Sequence, residues 1–164
     1  MSDANFFGRY ASSPDPAGEA YRELSAPGIP VPLAPVLRRC GIQPLLGNRI
    51  LTGGPGGRLF EEDGHWYMVF RPHTALEEIR LCAAEELGHF LLGHPLKGGR
   101  VRQFDASSPG MHAISEQFAA RFLLPGVSSH ESADQLAHRY VVPRLFVLSH
   151  LSLLQSEEKN ATFS

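Results

Sequence analysis

The stretch between Thr74 and Gly93 constrains the fold more than any other part of the sequence. Thr74 and Glu77 have the spacing of a capping box, which predicts the start of a helix. Gly93 is typical of a residue that follows a helix end. Apolar residues recur between these points at helical spacing, so the helix is expected to pack one face on a core. They are Ile79, Ala83, Leu87, Phe90 and Leu91.

A small antiparallel sheet is predicted before this helix. His65–Phe70 is rich in residues that favour strands, and Asp63-Gly64 is a favoured hairpin turn between it and Arg58–Glu61. Arg49–Thr52 is a third strand candidate.

Further helices complete a single α+β domain. Helical periodicity covers Pro32–Cys40, followed by Gly41 at the position of a C-cap glycine, and it returns over His112–Leu124. A last pair of helices opens at Ser132, where Ser132 and Gln135 form a second capping-box pattern, and at Pro143. The predicted organisation is a flexible leader (1–16), the domain (17–156) with its C-terminal helical pair (132–155), and a tail (157–164).

Composition excludes several classes of protein. With 164 residues, 43% of them hydrophobic, the chain can bury one core, and no apolar run reaches the roughly 18 residues of a membrane span. The formal net charge of −2 disfavours a dedicated nucleic-acid binder. Two distant cysteines and the lack of a visible secretory signal lead us to expect a cytoplasmic protein without a membrane association.

One segment of the predicted helix carries candidate chemistry. Zinc peptidases use His-Glu-x-x-His on a helix because residues four apart can bind one metal ion, while the intervening Glu activates the bound water. Glu85-Glu86-Leu87-Gly88-His89 has this geometry, with Glu85 at the first ligand position. Taken alone the pattern is weak, because surface helices are rich in such triplets.

The surrounding motifs resemble those of the ImmA/IrrE family of metallo-endopeptidases over nearly the whole chain. The resemblance lies in Cys40-Gly41-Ile42 after a short helix, in the helix that ends Glu85-Glu86-Leu87-Gly88-His89, and in Phe118-Ala119-Ala120-Arg121-Phe122-Leu123-Leu124-Pro125. It implies a zincin-like α+β fold, with a small sheet packed on a helix bundle that includes the active-site helix.

The resemblance also implies a metal site, from which this sequence departs at two positions. Family members use both histidines of the helix motif and a Glu four residues before the Phe of Phe-Ala-Ala. Here those positions hold Glu85, His89 and Ile114, while Glu86 keeps the type of the water-activating base. Glu85 can ligate through oxygen, whereas Ile114 cannot ligate at all.

Glu116 is the nearest acid that could replace the missing ligand. It is two residues past Ile114, so on a regular helix it points about 200° away and would need local distortion. His112 shares the face of Glu116 and the same difficulty, and Cys82 is too far along the helix to share an ion with His89. The candidate site is therefore Glu86 as catalytic base, with zinc or manganese on Glu85, His89 and Glu116.

Two functions follow from the resemblance. The first is a metal-dependent endopeptidase that cleaves a protein partner, such as a helix-turn-helix repressor in a stress response. The second is a degenerate peptidase that recognises the partner without cutting it. The C-terminal helices could themselves form a helix-turn-helix, but the second one offers Arg144 and little other positive charge, so direct DNA binding is not expected.

Overall fold

The chain folds as the α+β domain that the sequence predicts. A computed structural model describes residues 5–25, 29–47, 56–105 and 107–162. In these residues six helices accompany one five-stranded sheet. The helices are α1 (Pro16–Leu24), α2 (Leu33–Arg39), α3 (Leu76–Leu91), α4 (Pro109–Leu123), α5 (Ala133–Tyr140) and α6 (Arg144–Thr162). The strands are β1 (Ile42–Leu46), β2 (Gly57–Glu62), β3 (His65–Phe70), β4 (Leu96–Gly98) and β5 (Val101–Phe104).

The predicted hairpin is confirmed, but the sheet is mixed rather than antiparallel. Strands β2 and β3 pair antiparallel across Asp63 (φ 51°) and Gly64 (φ 83°), whose positive φ values suit a tight hairpin turn. The strand order is β1-β3-β2-β5-β4, and β1 runs parallel to β3. A parallel pair needs a long connection and has no local turn signal, so the sequence could not reveal it. The candidate strand Arg49–Thr52 lies outside the described residues.

Helix α3 is central, as its apolar stripe predicts. It packs on α4 and on β2, and Leu87 and Phe90 are almost completely buried. Gly88 permits the close approach of α4, because a Cβ there would lie 3.0 Å from Cδ1 of Phe118. Neither predicted capping box forms. Ala75 is the N-cap of α3, and Ser132 occupies the N-cap of α5 without a side-chain hydrogen bond.

The N-terminal segment is docked from residue 5 onward, so the prediction of a flexible leader over 1–16 is wrong for this part. Phe6 and Tyr10 are buried in the core. The backbone N–H of Gly8 donates to the carbonyl of Phe90 (2.9 Å), and that of Tyr10 donates to Leu91 (3.0 Å). These bonds satisfy carbonyl groups in the last turn of α3 that lack helical partners.

The C-terminal helical pair forms as predicted, but its second helix continues through the predicted tail. Helix α6 reaches Thr162, and contacts hold its last turns on the domain. The Ser129 hydroxyl donates to Glu158, and Arg121 forms an ion pair with Glu157 (2.9 Å). Within the part of the chain that is described, no helix combines the length and hydrophobicity needed to span a membrane.

The pairing of β2 with β3 depends on the absence of a side chain at Gly57. A Cβ there would lie 2.3 Å from the carbonyl oxygen of Val69, a backbone atom that cannot move cheaply. We expect Gly57→Ala to lower the free energy of unfolding by about 1–3 kcal/mol in urea denaturation. Gly99→Ala is the control, because a Cβ at Gly99 meets nothing within 4 Å. Equal stability of the two variants would contradict this account.

Candidate functional site

Helix α3 presents Glu85, Glu86 and His89 to one cavity of about 340 Å³. The cavity lies between α3, the start of β2 and the start of α4, which contribute Arg58 and His112. The three α3 residues that the sequence groups as a candidate site therefore line one cavity, and their roles stay predictions. Helical periodicity is sufficient for this prediction, because positions i, i+1 and i+4 lie within about 100° of one another.

Glu86, the predicted catalytic base, forms an ion pair with Arg58. The Arg58 Nη1–Glu86 Oε1 distance is 3.2 Å, and only 8% of the Glu86 side chain is exposed. Burial raises the pKa of Glu86 to about 7, although Arg58 and a backbone hydrogen bond from Leu59 oppose the rise. Oε2 of Glu86 and Nε of Arg58 are buried and have no hydrogen-bond partner among the described residues. The pair is thus compensated in charge but incompletely hydrogen bonded.

The same helix face covers the first half of β2. Strand β5 pairs with Phe60–Glu62, which is the second half of β2. The side chains of α3 contact the first half, which β5 does not cover. Cys82 Sγ lies 3.2 Å from the carbonyl oxygen of Gly57, and Glu86 takes the backbone hydrogen bond from Leu59. Cys82 and Glu86 are one helical turn apart on α3. They therefore reach two polar groups of the same strand, the carbonyl of Gly57 and the backbone N–H of Leu59. Burial also raises the pKa of the Cys82 thiol to about 12, which makes it an inert donor rather than a nucleophile.

His89, the predicted metal ligand, is bound to a second histidine. Its Nδ1 lies 2.8 Å from Nδ1 of His94, so one imidazole donates and the other accepts. His94 reaches this position because α3 ends at Leu91, and Gly93 (φ 69°) turns the chain back. The glycine after the helix is the one local signal for this contact in the sequence.

Burial keeps His89 neutral at neutral pH. Burial, together with smaller effects of the nearby His94, His112 and Arg58, lowers the pKa of His89 to about 4. The His89 ring also lies between two other rings, at 5.2 Å from the Phe104 centroid and 6.4 Å from that of His112. The imidazole is therefore a packed aromatic group with one nitrogen already in use.

Glu85, the predicted substitute ligand, separates the cavity from a neighbouring groove that it also lines. Burial raises its pKa to about 7, and the carboxylates of Glu116 and Glu78 add to the rise. Glu85 is thus partly protonated near neutral pH, which makes it a weaker ligand than the histidine it stands for.

Glu116 does not lie with His89, so its assignment as third ligand is corrected. It lines the neighbouring groove, its side chain is 52% exposed, and its Oε1 lies 3.4 Å from Nε2 of His112. His112 lines the cavity instead. Ile114 is 50% exposed, and it lines neither the cavity nor the groove. The resemblance implies that residue 114 points at His89, whereas the packing of α4 turns the opposite side of the helix, with His112, towards it.

These residues do not fit a zinc or manganese ion as they are arranged. Across the described residues, no three His, Cys, Asp or Glu side chains are grouped so that they could hold a metal. The arrangement that comes nearest to a metal site is His89, whose Nδ1 is hydrogen bonded to His94, beside the carboxyl group of Glu85, which has a pKa of about 7. A hydrogen bond at Nδ1 still leaves Nε2 of His89 available to a cation, but one imidazole and one partly protonated carboxyl group fall short of the three protein ligands of a catalytic zinc site.

Comparison with known proteins adds no relative. No protein-family model matches this sequence, and neither does any curated protein.

The raised pKa of Glu85 predicts a pH-dependent stability difference. The folded protein keeps a proton on Glu85 that the unfolded chain releases between pH 4.5 and about 7. The corresponding stabilisation is complete below pH 4.5 and is lost as the pH rises through 7. We therefore expect Glu85→Gln to raise the free energy of unfolding by about 1–2 kcal/mol at pH 8, after allowance for partial exposure, and to have no effect at pH 4.

Urea denaturation of wild type and variant across this pH range measures the difference. Glu77→Gln is the matched control, because Glu77 is the exposed acid beside Glu78 on the same helix. A difference of the same size for Glu77→Gln, or one that does not change with pH, would contradict the role of burial.

The arrangement of His112 predicts how a zinc site could be made. We expect Glu85→His to give zinc binding, because positions 85 and 89 then carry histidines one helical turn apart, with His112 across the cavity. Glu85→His with His112→Ala should lose this affinity. Ile114→Glu, alone or with Glu85→His, should add none, because residue 114 lies outside the cavity. Isothermal titration with zinc decides the matter, and a gain specific to Ile114→Glu would overturn this placement.

Proposed function

We propose that this chain is an ImmA/IrrE-like protein of peptidase fold that recognises a protein partner without cleaving it. The observation that carries the proposal is the buried Arg58–Glu86 ion pair. A general base must reach a water molecule and take its proton. Here the carboxylate in that position is held by Arg58 and by Leu59, at the junction of α3 with the sheet.

The histidine chemistry supports the same conclusion. A zinc peptidase needs imidazole nitrogens that are free to ligate, with a water at an open coordination position. In this chain position 85 holds a carboxyl group instead of a second imidazole, and His89, hydrogen bonded to His94 through Nδ1, offers only Nε2. The cavity is therefore lined by polar groups and aromatic rings. This lining suits the binding of a protein partner better than metal-dependent hydrolysis.

A partner of the helix-turn-helix class is what the resemblance implies. We place the interaction in the cytoplasm, in agreement with two cysteines that are both free and one of which is buried. The partner is recognised as protein, because the cavity and the groove beside it carry carboxylates that would repel a nucleic-acid backbone.

A metal-dependent endopeptidase is the second candidate, and one observation favours it. The pKa of Glu86 is about 7, which is the range in which a carboxylate works best as a general base at neutral pH. Movement of Arg58 away from Glu86 would be required before this carboxylate could act.

The two candidates differ in what happens to a bound partner. Wild type, Glu86→Gln and the control Glu77→Gln are incubated with a candidate helix-turn-helix repressor, with and without added zinc or manganese. We expect the repressor to bind all three proteins and to stay intact in every sample, as read by pull-down and mass spectrometry. General-base loss costs about 10²–10⁴-fold in rate, so an enzyme would be readily distinguished.

Fragments that appear with metal in wild type and Glu77→Gln, but not in Glu86→Gln, would overturn the non-cleaving proposal in favour of the endopeptidase. Identical fragments from all three would identify a contaminating protease, which a second preparation removes before the comparison is repeated.

A further inference from the structure

A second depression lies beside the cavity, between α4 and α6. It has a volume of about 620 Å³ and meets the cavity at Glu78, Leu81 and Glu85. We call it the α4–α6 groove. Its remaining lining comes from the two helices and the residue before α6: Ala113, Glu116, Gln117, Ala120, Pro143, Arg144, Leu145, Phe146, Ser149, His150 and Leu153.

One wall of the groove is apolar and open to solvent. Leu145 is 76% exposed and Leu153 is 46% exposed, although both belong to a helix that packs on the domain. Phe146 lines the same wall and is partly buried against the core. Leu145 and Leu153 are two helical turns apart on α6, and exposed apolar side chains that line one depression are a feature of interaction surfaces.

The opposite wall is acidic. Glu78, Glu85 and Glu116 lie along it, close enough that the charges on Glu116 and Glu78 raise the pKa of Glu85. The cation that lines the groove, Arg144, already forms an ion pair with Asp134. In the described part of the chain, Glu116 has His112 as its ion-pair partner, and that histidine is charged only when protonated. Among the described residues, the groove therefore presents the carboxylates of Glu78 and Glu116 and the partly protonated Glu85 beside the apolar side chains of α6.

We propose that the α4–α6 groove binds a basic amphipathic helix of the protein partner. Apolar side chains of that helix would cover Leu145, Phe146 and Leu153, while Lys or Arg at its edge would face Glu78, Glu85 and Glu116. A helix in a groove between helices is a common mode of peptide recognition, and opposite charge selects the partner. This inference rests on the proposed function, because it names the partner segment that the non-cleaving protein recognises.

A pair of labelled helical peptides tests the inference on the full chain. One carries leucines on one face and lysines on the other, and the second replaces every lysine by glutamate. Fluorescence anisotropy is expected to show binding of the lysine peptide alone. Its affinity should fall on raising the salt concentration, because exposed charges are screened. A scrambled lysine peptide without an apolar face should bind at least several-fold more weakly.

Matched variants then locate the binding site. We expect Glu116→Gln to weaken binding about 2–5-fold, as for an exposed ion pair. Leu145→Ser should weaken it about 10-fold, through loss of apolar burial. Glu77→Gln is the charge control on α3, and Leu46→Ser is the apolar control, because Leu46 on β1 is 78% exposed. Neither control should change the affinity by more than a factor of about 1.5, as expected for sites outside the interface.

Three results would overturn the inference. They are equal binding of the two charged peptides, equal weakening by the controls, and concentration-dependent dimerisation in sedimentation that Leu145→Ser abolishes, which would make a second copy the occupant. Mass spectrometry of the same samples reads cleavage separately. If the peptide is cut and its binding still depends on Glu116 and Leu145, the non-cleaving function is overturned but the binding site in the groove is supported. If the peptide stays intact and its binding depends on neither residue, the groove is overturned while the non-cleaving function is supported.

Discussion

The contact between α3 and the first half of β2 is the interaction on which both the fold and the site depend. Strand β5 pairs with Phe60–Glu62, so the edge before these residues would otherwise present unpaired backbone groups. Cys82 and Glu86 cover this edge from the helix, and Arg58 returns from the strand to pair with Glu86. The helix is thereby attached to the sheet by the same carboxylate that the resemblance to ImmA/IrrE proteins predicts as the catalytic base.

Burial then sets the charge of the cavity. It raises the pKa of Glu85 and Glu86 to about 7 and lowers that of His89 to about 4, so each group is shifted towards its neutral form. The effects on stability are opposite, because the glutamates lose stabilisation as the pH rises to 7, whereas the histidine gains it between pH 4 and 6.5. Apart from the Arg58–Glu86 ion pair, the groups of the cavity are shifted towards their neutral forms, which suits hydrogen bonding with a peptide better than binding of a divalent cation.

Several local features were predicted well because neighbouring residues determine them, although neither predicted capping box forms. The turn at Asp63-Gly64, the glycine after α2 and the common face of Glu85, Glu86 and His89 all follow from backbone preference or helical period. Pairings between distant segments were missed, among them β1 with β3 and residues 5–10 with the end of α3. These contacts depend on burial of Phe6 and Tyr10 and on sheet order, neither of which leaves a periodic signal in the sequence.

The sequence by itself determined that His112 and Glu116 share one side of α4 and that Ile114 lies on another, since helical geometry requires it. Only the tertiary structure decided which side faces α3. Phe118, Ala119 and Phe122 are buried in the core, and Phe118 packs on the bare backbone at Gly88, which sets the rotation of α4 about its axis. That rotation brings His112 to the cavity, leaves Glu116 in the groove and exposes Ile114. Rotation of a packed helix depends on the summed fit of its buried side chains, and so it cannot be read from any single motif.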